Sequence, residues 1–521
     1  MKVQSIVKKN AYYDSVTLML ISRELKKMDG VEEVVVGMGT DMNLDLTRNL
    51  GMFTQDLETI SSNDLFISAK FDETKVSFNE IEAGFVQQIN HSAETVSDEK
   101  YQAPTLSAAI QYMPVANMVL ISIPGQSAAA EVEAALDAGL HVMLFSDNVP
   151  VEDELRLKQK AVEKGLLVMG PDCGTAIING VPLCFANAVR RGKIGVVGAS
   201  GTGTQEVTVQ IHKLGGGLSQ VIGTGGRDLK EKIGGLMMIQ GFQGLIEDPE
   251  TNVIVLISKP PDESVAEKIY AIAKACPKPV IIDFIGGNRS AIEAAGAVAC
   301  VSLEDAAMKA VAVLRNQLVK DFDGFALTDT EINELVSNAV AGLKHDQTEL
   351  RALFTGGTLA DETMKLLGDR YKIYSNIPLT AEMAISNLVD GRGHICLDLG
   401  EDEFTRGRPH PMIDPQTRTE FFRSHVNGRT AVVLVDVVLG FGSHADPAGA
   451  VADSVREFRA RLNEECKNVV VVASVCGTEL DSQNLKKSTQ TLEAAGVIVM
   501  PSNAQAVRLT DLIFQRLQKG A

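Results

Sequence analysis

The chain has no tryptophan, few aromatic residues (5%) and only 17 prolines. It also has no C-x-x-C pair: its seven cysteines, Cys173, Cys184, Cys276, Cys300, Cys396, Cys466 and Cys476, are scattered and odd in number. That pattern excludes a disulfide framework or a cysteine-built zinc site and fits reduced, mostly buried thiols in a cytoplasmic protein. Basic residues are outnumbered, 49 against 67 acidic, for a net charge of −18, and no basic block offsets this. General binding to nucleic acid or to an anionic membrane is not expected, while a local site for a small anion stays compatible. The longest apolar runs are strand-length, and the amino-terminal MKVQSIVKKNAYYDS has no apolar stretch of signal-peptide length. Neither a membrane span nor a secretory signal is expected.

What the chain has in quantity is glycine, 45 of 521 residues, in a composition 45% hydrophobic and 22% charged. That suits a folded protein with many tight strand-to-helix turns and room for three to four domains. Period-two patterning predicts strands at Val3–Lys8, Val31–Val36 and Leu65–Ala69, with helical spacing over Asp14–Lys27 and Phe78–Ile89. The polar stretch Asn90–Gln102 reads as a linker. Strands at Met118–Ile123, Val142–Phe145 and Leu166–Met169 then alternate with helices, which implies βαβ units and a parallel sheet. The rest is an internal repeat. Strands at 194–197, 220–222, 253–257, 280–284 and 297–300 match strands at 352–354, 395–399, 431–435, 469–473 and 497–500. In both copies the first strand enters a Gly/Ser/Thr turn (GASGTGTQE and TGGTLADE), and the last follows a helix ending in Ala-Ala-Gly. The fold class is therefore α/β, with several doubly wound parallel sheets. The expected organisation is a small α/β domain at 1–98, a Rossmann-like domain at 99–192, a flavodoxin-like domain at 193–320, a linker at 321–347 that begins in a hinge near Lys320–Asp329, and a second flavodoxin-like domain at 348–521.

The glycine-rich turns are the first candidates for chemistry. Gly198-Ala-Ser-Gly-Thr-Gly-Thr204 follows a strand and opens a helix, so backbone N–H groups, the helix dipole and side-chain hydroxyls converge there. Gly198, Ser200, Gly201 and Thr202 are candidate phosphate-binding residues, the plain alternative being a packing turn. One exposed helix end contributes only about 0.3–1 kcal/mol to an anion, so several donors must act together. Gly226 and Arg227 follow the next strand, unless Arg227 simply pairs with Asp228. Thr355-Gly-Gly-Thr358 is the counterpart in the second repeat and contributes Gly356, Gly357 and Thr358. Cys173, in Gly170–Thr175, has no identifiable activating base and is not assigned as a nucleophile. In the polar segment Asp398–Pro415, two prolines fix the backbone around His410, and Arg406 and Arg408 offer planar donors to a carboxylate or phosphate. Its acidic residues match no closed ligand set, so no metal ligand is assigned. His444 lies in a loop before a helix that Asp446 can cap.

These motifs resemble the acyl-CoA synthetase superfamily that includes succinyl-CoA synthetase. MGPDCG at 169–174, GKIGVVGASGTGTQEV at 192–207 and GTGGRD at 223–228 are similar to its α-subunit series. ICLDLG at 395–400, VDVVLGFGSHADP at 435–447 and LEAAGVIVM at 492–500 are similar to the carboxyl-terminal part of its β subunit. MLFSDNVPVEDEL at 143–155, KGLLVMGPDCGTAIINGVPLCFANAV at 164–189 and GRPHPMIDP at 407–415 identify the FdrA-like branch over nearly the whole chain. The resemblance implies a fused α-like and β-like chain, with a CoA-binding-type domain at 99–192 and ligase-type domains after it. Two departures stand out. The phosphorylated histidine of the α subunit lies in Gly-His-Ala-Gly-Ala, and the best match here, Glu293–Ala297, puts Ala294 in its place. The glycine-rich first βα turn is matched by Lys8–Ser15, which has no glycine, and no ATP-grasp region is recognisable. CoA, nucleotide and Mg²⁺ are accordingly not expected, and phosphate or carbamoyl phosphate is expected as substrate.

The FdrA-like branch is associated with carbamoyl transfer in purine (allantoin) catabolism. The resemblance thus implies a subunit of an oxamate-type carbamoyltransferase, in which oxalurate and phosphate give oxamate and carbamoyl phosphate. Its partners would be a small anionic substrate and the other subunits of the assembly, and a homo-oligomer is compatible. In that reading the glycine-rich helix starts bind phosphate, Arg406 or Arg408 clamps the substrate carboxylate, and His410 or His444 donates a proton or hydrogen bond. His410, His444 and Arg408 are the catalytic candidates. A nucleotide-dependent CoA ligase and a non-catalytic scaffold or ligand sensor are the alternatives.

Overall fold

The computed structural model describes residues 1–520 other than 10, 12, 14, 63, 95–102, 386–392, 406–407 and 464–467. They fall into two compact units, residues 1–114 with 402–409, and residues 115–401 with 410 onward.

The first unit is built on a three-stranded antiparallel sheet. Leu65–Phe71 lies between Lys2–Lys8 and Val31–Met38. Strand alternation explains its two faces. Leu65, Ile67, Ala69 and Phe71 share a core with Leu18, Ile21 and Leu25 of helix Ser15–Lys26 and with Ile81 and Phe85 of helix Phe78–Glu94. Phe66 points the other way, onto Met52 and Leu57. The helix Phe78–Glu94 runs into the stretch read as a linker, and residues 95–102 of that stretch lie outside the described residues.

The second unit holds three sheets. The smallest is parallel, with strands Met118–Ile121, His141–Leu144 and Val168–Met169. The seven-stranded sheet has five parallel strands, Arg191–Gly198, Leu218–Gly223, Val253–Ser258, Val280–Phe284 and Val298–Ala299, in spatial order 5-4-3-1-2. The six-stranded sheet has Glu349–Phe354, His394–Asp398, Thr430–Val438, Val470–Cys476 and Ile498–Met500 in that same order. The repeat in the sequence is therefore a repeat of topology. Both Ala-Ala-Gly helix ends use glycine in the left-handed region, Gly296 at φ +75° and Gly496 at φ +74°, which a side chain would strain.

Two additions break the repeat. Ile373–Tyr374 extends the edge of the six-stranded sheet. A hairpin of Thr175–Ile178 and Val181–Cys184 joins the other sheet antiparallel to Leu218–Gly223. Its turn, Asn179-Gly180, has φ +51° and +82°, as a two-residue hairpin turn of mirror type requires. Between the repeats, the irregular chain around 320–328 is tied down. Arg508 donates to the carbonyls of Phe322 and Gly324, and the Ala326 N–H donates to Gln505.

The repeats share one core. Val207 and Ile211 of helix Gly201–Lys213 and Leu303 and Ala307 of helix Leu303–Leu314 belong to it. So do Leu359 and Met364 of helix Gly357–Leu367 and Val507 and Phe514 of helix Asn503–Gly520. Among the described residues, no helix is long and apolar enough to cross a membrane.

Candidate functional site

The shared core brings two helix starts together. Helix Gly201–Lys213 begins at the carboxyl end of strand Arg191–Gly198, and helix Gly357–Leu367 begins at that of Glu349–Phe354. Ser200 Oγ and Thr358 Oγ1 are 2.6 Å apart. Ser200 Oγ also accepts the Gly203 N–H at 3.0 Å, which caps its own helix. The approach depends on small residues. A Cβ on Gly203 would stand 2.6 Å from the Thr358 methyl, and one on Gly356 would collide with the Thr202 side chain. Ser200, Gly201, Thr202, Gly356, Gly357 and Thr358 therefore lie together, and Gly201 is exposed. Gly198 stands under this turn, where a Cβ would strike Thr204.

One turn further along, two glutamates cross between the repeats. Glu206 Oε1 accepts the Asn503 N–H at 3.3 Å, at the start of the second repeat's last helix. Glu362 Oε1 accepts the Leu303 N–H at 2.8 Å, at the start of the first repeat's last helix. Glu362 Oε2 also accepts from Asn503 Nδ2 at 2.8 Å. Each glutamate thus satisfies a free N–H at the head of the opposite domain's helix. Burial pushes the Glu362 carboxyl up to about 7, against these hydrogen bonds.

Around the helix start at Gly357 stand Lys259, Asp361 and Asp398. Lys259 follows strand Val253–Ser258 of the first repeat, and its Nζ is 3.2 Å from Asp361 Oδ2. Burial raises the Asp361 carboxyl, and Lys259 opposes the rise. Asp398 ends strand His394–Asp398 of the second repeat. Burial, and next the Glu401 charge, push its carboxyl up to about 7. His410 packs over Gly400, its Nε2 2.6 Å from where a Cβ on that glycine would stand. The ring lies against Phe185, centroids 5.5 Å apart. Burial pushes its pKa down to about 4, so it is neutral at pH 7. Nδ1 accepts the Met412 N–H at 3.2 Å, which leaves the proton on Nε2. His410 is thus fitted to donate a hydrogen bond, not to carry charge.

The other predicted residues lie elsewhere or serve the frame. Arg227 pairs with Glu154 at 2.9 Å and donates to the Val149 carbonyl at 2.8 Å, while Gly226 is exposed beside it. Asp228 is buried, bound to Lys158 at 2.8 Å and to the Met238 N–H at 2.8 Å. His444 Nδ1 accepts the Asp446 N–H at 3.1 Å, and Asp446 accepts the Gly449 N–H at 2.9 Å, a local cap. Arg408 is exposed and belongs to the first unit, and Arg406 lies outside the described residues. Cys173 is buried, and burial pushes its thiol up to about 12, far from a thiolate nucleophile. Ala294 ends helix Arg289–Ala294, ahead of strand Val298–Ala299 and so at the opposite edge of the sheet from the paired helix starts. The loop that follows Val280–Phe284 at the near edge is Ile-Gly-Gly-Asn, 285–288, and a Cβ on its Gly286 would meet Lys365 of helix Gly357–Leu367 at 2.9 Å. Glu206, Glu362 and Lys259 were not singled out from sequence. The two glutamates close the paired motifs GASGTGTQE and TGGTLADE, and that shared position was the available signal.

Comparison with known proteins adds three family matches. A CoA-ligase model matches residues 353–513, a CoA-binding-domain model matches 189–286, and a model described as AllF, heavy metal-associated domain, matches 1–104. The uncharacterized protein YahF of Escherichia coli K12 is 44% identical over 511 residues, 96% of this chain and 97% of that one. The α subunit 2 of the ADP-forming succinate–CoA ligase of Archaeoglobus fulgidus is 31% identical over 172 residues, 32% of this chain. The chain spans 58% of that relative's length. Among solved structures, the ATP citrate lyase of Methanothrix soehngenii in complex with citrate and coenzyme A aligns over 45% of each chain at 16% identity, with a TM-score of 0.35.

These matches correct the expectation that CoA and nucleotide play no part. The CoA-binding model falls on the sheet that carries the Gly198–Thr204 turn, and the succinate–CoA ligase relatives are ADP-forming. The expectation rested on the glycine-free stretch 8–15, which follows strand Lys2–Lys8 of the antiparallel first unit and is no counterpart of a Rossmann turn. The heavy metal-associated model covers a stretch with no cysteine. Among the described residues no group of three His, Cys, Asp or Glu is placed to hold a metal ion, so the residues do not fit a thiolate metal site.

Proposed function

The chain belongs to the FdrA-like family of the acyl-CoA synthetase superfamily, and from that premise we propose that it is an acid–thiol ligase-type subunit that moves an acyl group between phosphate and CoA. The observation that carries this reading is the 2.6 Å contact between Ser200 and Thr358, which joins two helix starts from two domains. Each helix start carries roughly half a positive charge and free N–H groups. Two of them, with two hydroxyls, suit a phosphoryl dianion that one would hold poorly. In the transfer, the CoA thiolate attacks the acyl carbon, the bond from that carbon to the phosphate oxygen breaks, and phosphate leaves with the electron pair. The paired helix starts stabilise the charge that develops on the leaving oxygen. His410 Nε2–H supplies a neutral hydrogen bond at the edge of the same site. The likeness to ADP-forming subunits brings a nucleotide and a second subunit into this reading, in a cytoplasmic assembly.

The test uses the full chain purified together with its partners, supplied with ATP, CoA and a panel of carboxylic acids, and follows loss of free thiol. Ser200→Ala and Thr358→Val should each slow the reaction by about tenfold or more, since loss of one oxyanion donor costs about 10²–10³ in kcat in well-formed sites. Wild-type rates in both variants would defeat the reading.

A second reading is carbamoyl transfer between oxalurate and phosphate in purine (allantoin) catabolism. It is favoured by the absence of histidine from the 285–288 loop that faces helix Gly357–Leu367. Phosphate oxygen attacks the carbamoyl carbon, the C–N bond breaks, and the oxamate nitrogen takes a proton, so no phosphoimidazole is needed. Carbamoyl phosphate made from oxalurate and phosphate, with no loss of thiol in the first assay, would select this reading.

A further inference from the structure

Asp398 is only 4% exposed. Its Oδ1 accepts the Gly400 N–H at 2.9 Å. Its Oδ2 has no hydrogen-bond or ion-pair partner among the described residues, and it lies 2.5 Å from where a Cβ on Gly357 would stand. The unpaired oxygen of a nearly buried carboxylate therefore lies against the first residue of helix Gly357–Leu367. Lys259 forms its ion pair with Asp361, and its charge opposes the rise of the Asp398 carboxyl without reversing it. The other charged or titratable groups facing Asp398 are Glu401, Asp436 and His410. Asp436 is already committed to Arg418 at 2.9 Å and to Thr355 at 2.8 Å. A carboxylate oxygen only accepts hydrogen bonds, so beside a bound oxyanion it repels unless a proton lies between the two.

We propose that Asp398 makes this site selective for an oxyanion that brings its own proton: hydrogen phosphate donates its P–O–H to Asp398 Oδ2, and sulfate, with no proton to give, is rejected. The inference rests on the reading of the paired helix starts as a phosphate site and adds the residue that sets its specificity. Its pH dependence has a fixed sign. With the carboxyl raised to about 7, Asp398 supplies the shared proton itself in acid, and sulfate then enters. In base Asp398 is ionised and sulfate is shut out, while hydrogen phosphate still carries a proton.

Calorimetric titration of inorganic phosphate and of sulfate into the full chain, at about pH 6 and about pH 8.5, tests this. Phosphate should bind at both pH values, and sulfate should bind only in acid, falling at least about tenfold behind phosphate in base. Asp398→Asn, whose amide donates without proton uptake, should bind both anions alike at either pH. Equal binding of the two anions by the wild type in base overturns the assignment and leaves the phosphate site standing, as does undiminished discrimination in Asp398→Asn. No phosphate binding by the wild type overturns both. The wild-type pH series is decisive even if the variant does not fold.

Discussion

The two repeats share a strand order but differ in where each leaves a buried carboxyl without an ion pair. Against the first repeat, Lys158 is fully buried with its Nζ 2.8 Å from Asp228 and 2.9 Å from Glu154, and Lys309 lies 2.7 Å from Asp305. These charges are neutralised, and Asp228 also accepts N–H groups at the start of helix Leu236–Glu247. Among the described residues the second repeat has two such pairs, Arg418 with Asp436 and Arg351 with Glu349 at 2.6 Å. Each repeat also has a carboxyl raised by burial and without an ion pair: Asp283 in the first, pushed up to about 8, and Asp398 in the second, pushed up to about 7 although the Lys259 charge opposes the rise. Paired buried charges fasten elements together. Asp398 differs from Asp283 in lying against Gly357 at a helix start, which is why it enters the proposed anion site.

Breaking a paired charge should have the largest effect. Lys158→Met leaves Asp228 buried with its ammonium gone and should destabilise the chain by about 3–5 kcal/mol. A urea unfolding midpoint that does not move would contradict the fastening role. The neutral His410 should behave in the opposite way. Its pKa is depressed in the folded chain, so its contribution to stability is present above pH 6.5 and is lost as the pH falls through about 4. His410→Gln should remove that acid sensitivity, an effect of roughly 2 kcal/mol at the acid end, with little change near pH 7. Ring NMR signals of the wild type should stay in their neutral positions from pH 8 to about pH 5; a transition near pH 6.5 would show that burial does not hold the ring neutral.

The frame of both repeats was legible because it is local. Period-two runs, Ala-Ala-Gly helix ends and the Gly/Ser/Thr turns each encode one strand, cap or helix start. The hairpin at Thr175–Ile178 was equally legible, since Asn179-Gly180 between two apolar runs is a strong hairpin signal that went unread. The site was legible in part. The two glycine turns were paired from sequence and meet at Ser200 and Thr358. What closes the site comes from pairings that no local pattern carries. Glu206 finds its partner 297 residues away and Glu362 finds one 59 residues away in the other repeat. Arg227 turns from its neighbour Asp228 to Glu154 because Lys158 already occupies that aspartate. Asp398 read as one acid in a polar loop; it shares its burial with Asp414, and its place against Gly357 sets it apart.

The crossing glutamates give the smallest effect and sharpen the comparison most. Glu206 and Glu362 hold equivalent places, yet Glu362 accepts two hydrogen bonds of 2.8 Å, whereas Glu206 accepts Gln210 at 3.0 Å and the Asn503 N–H at 3.3 Å. Glu362→Gln turns one acceptor into a donor facing Asn503 Nδ2, and it should cost about 1 kcal/mol near pH 6. The amide of Asn503 can flip to limit the loss, because its Oδ1 is buried with no partner in the present arrangement. The sign with pH follows from a carboxyl raised from 4.5 to about 7. The folded chain binds a proton there that the unfolded chain has already lost, so this group's support falls as the pH rises through that window and its burial counts against folding above it. The advantage of wild type over Glu362→Gln should therefore shrink between about pH 5 and pH 7 and stay level above that, read as converging urea midpoints. A constant difference would mean that Glu362 is ionised throughout, and that the two repeats are clasped by charge at this point as the first is at Lys158.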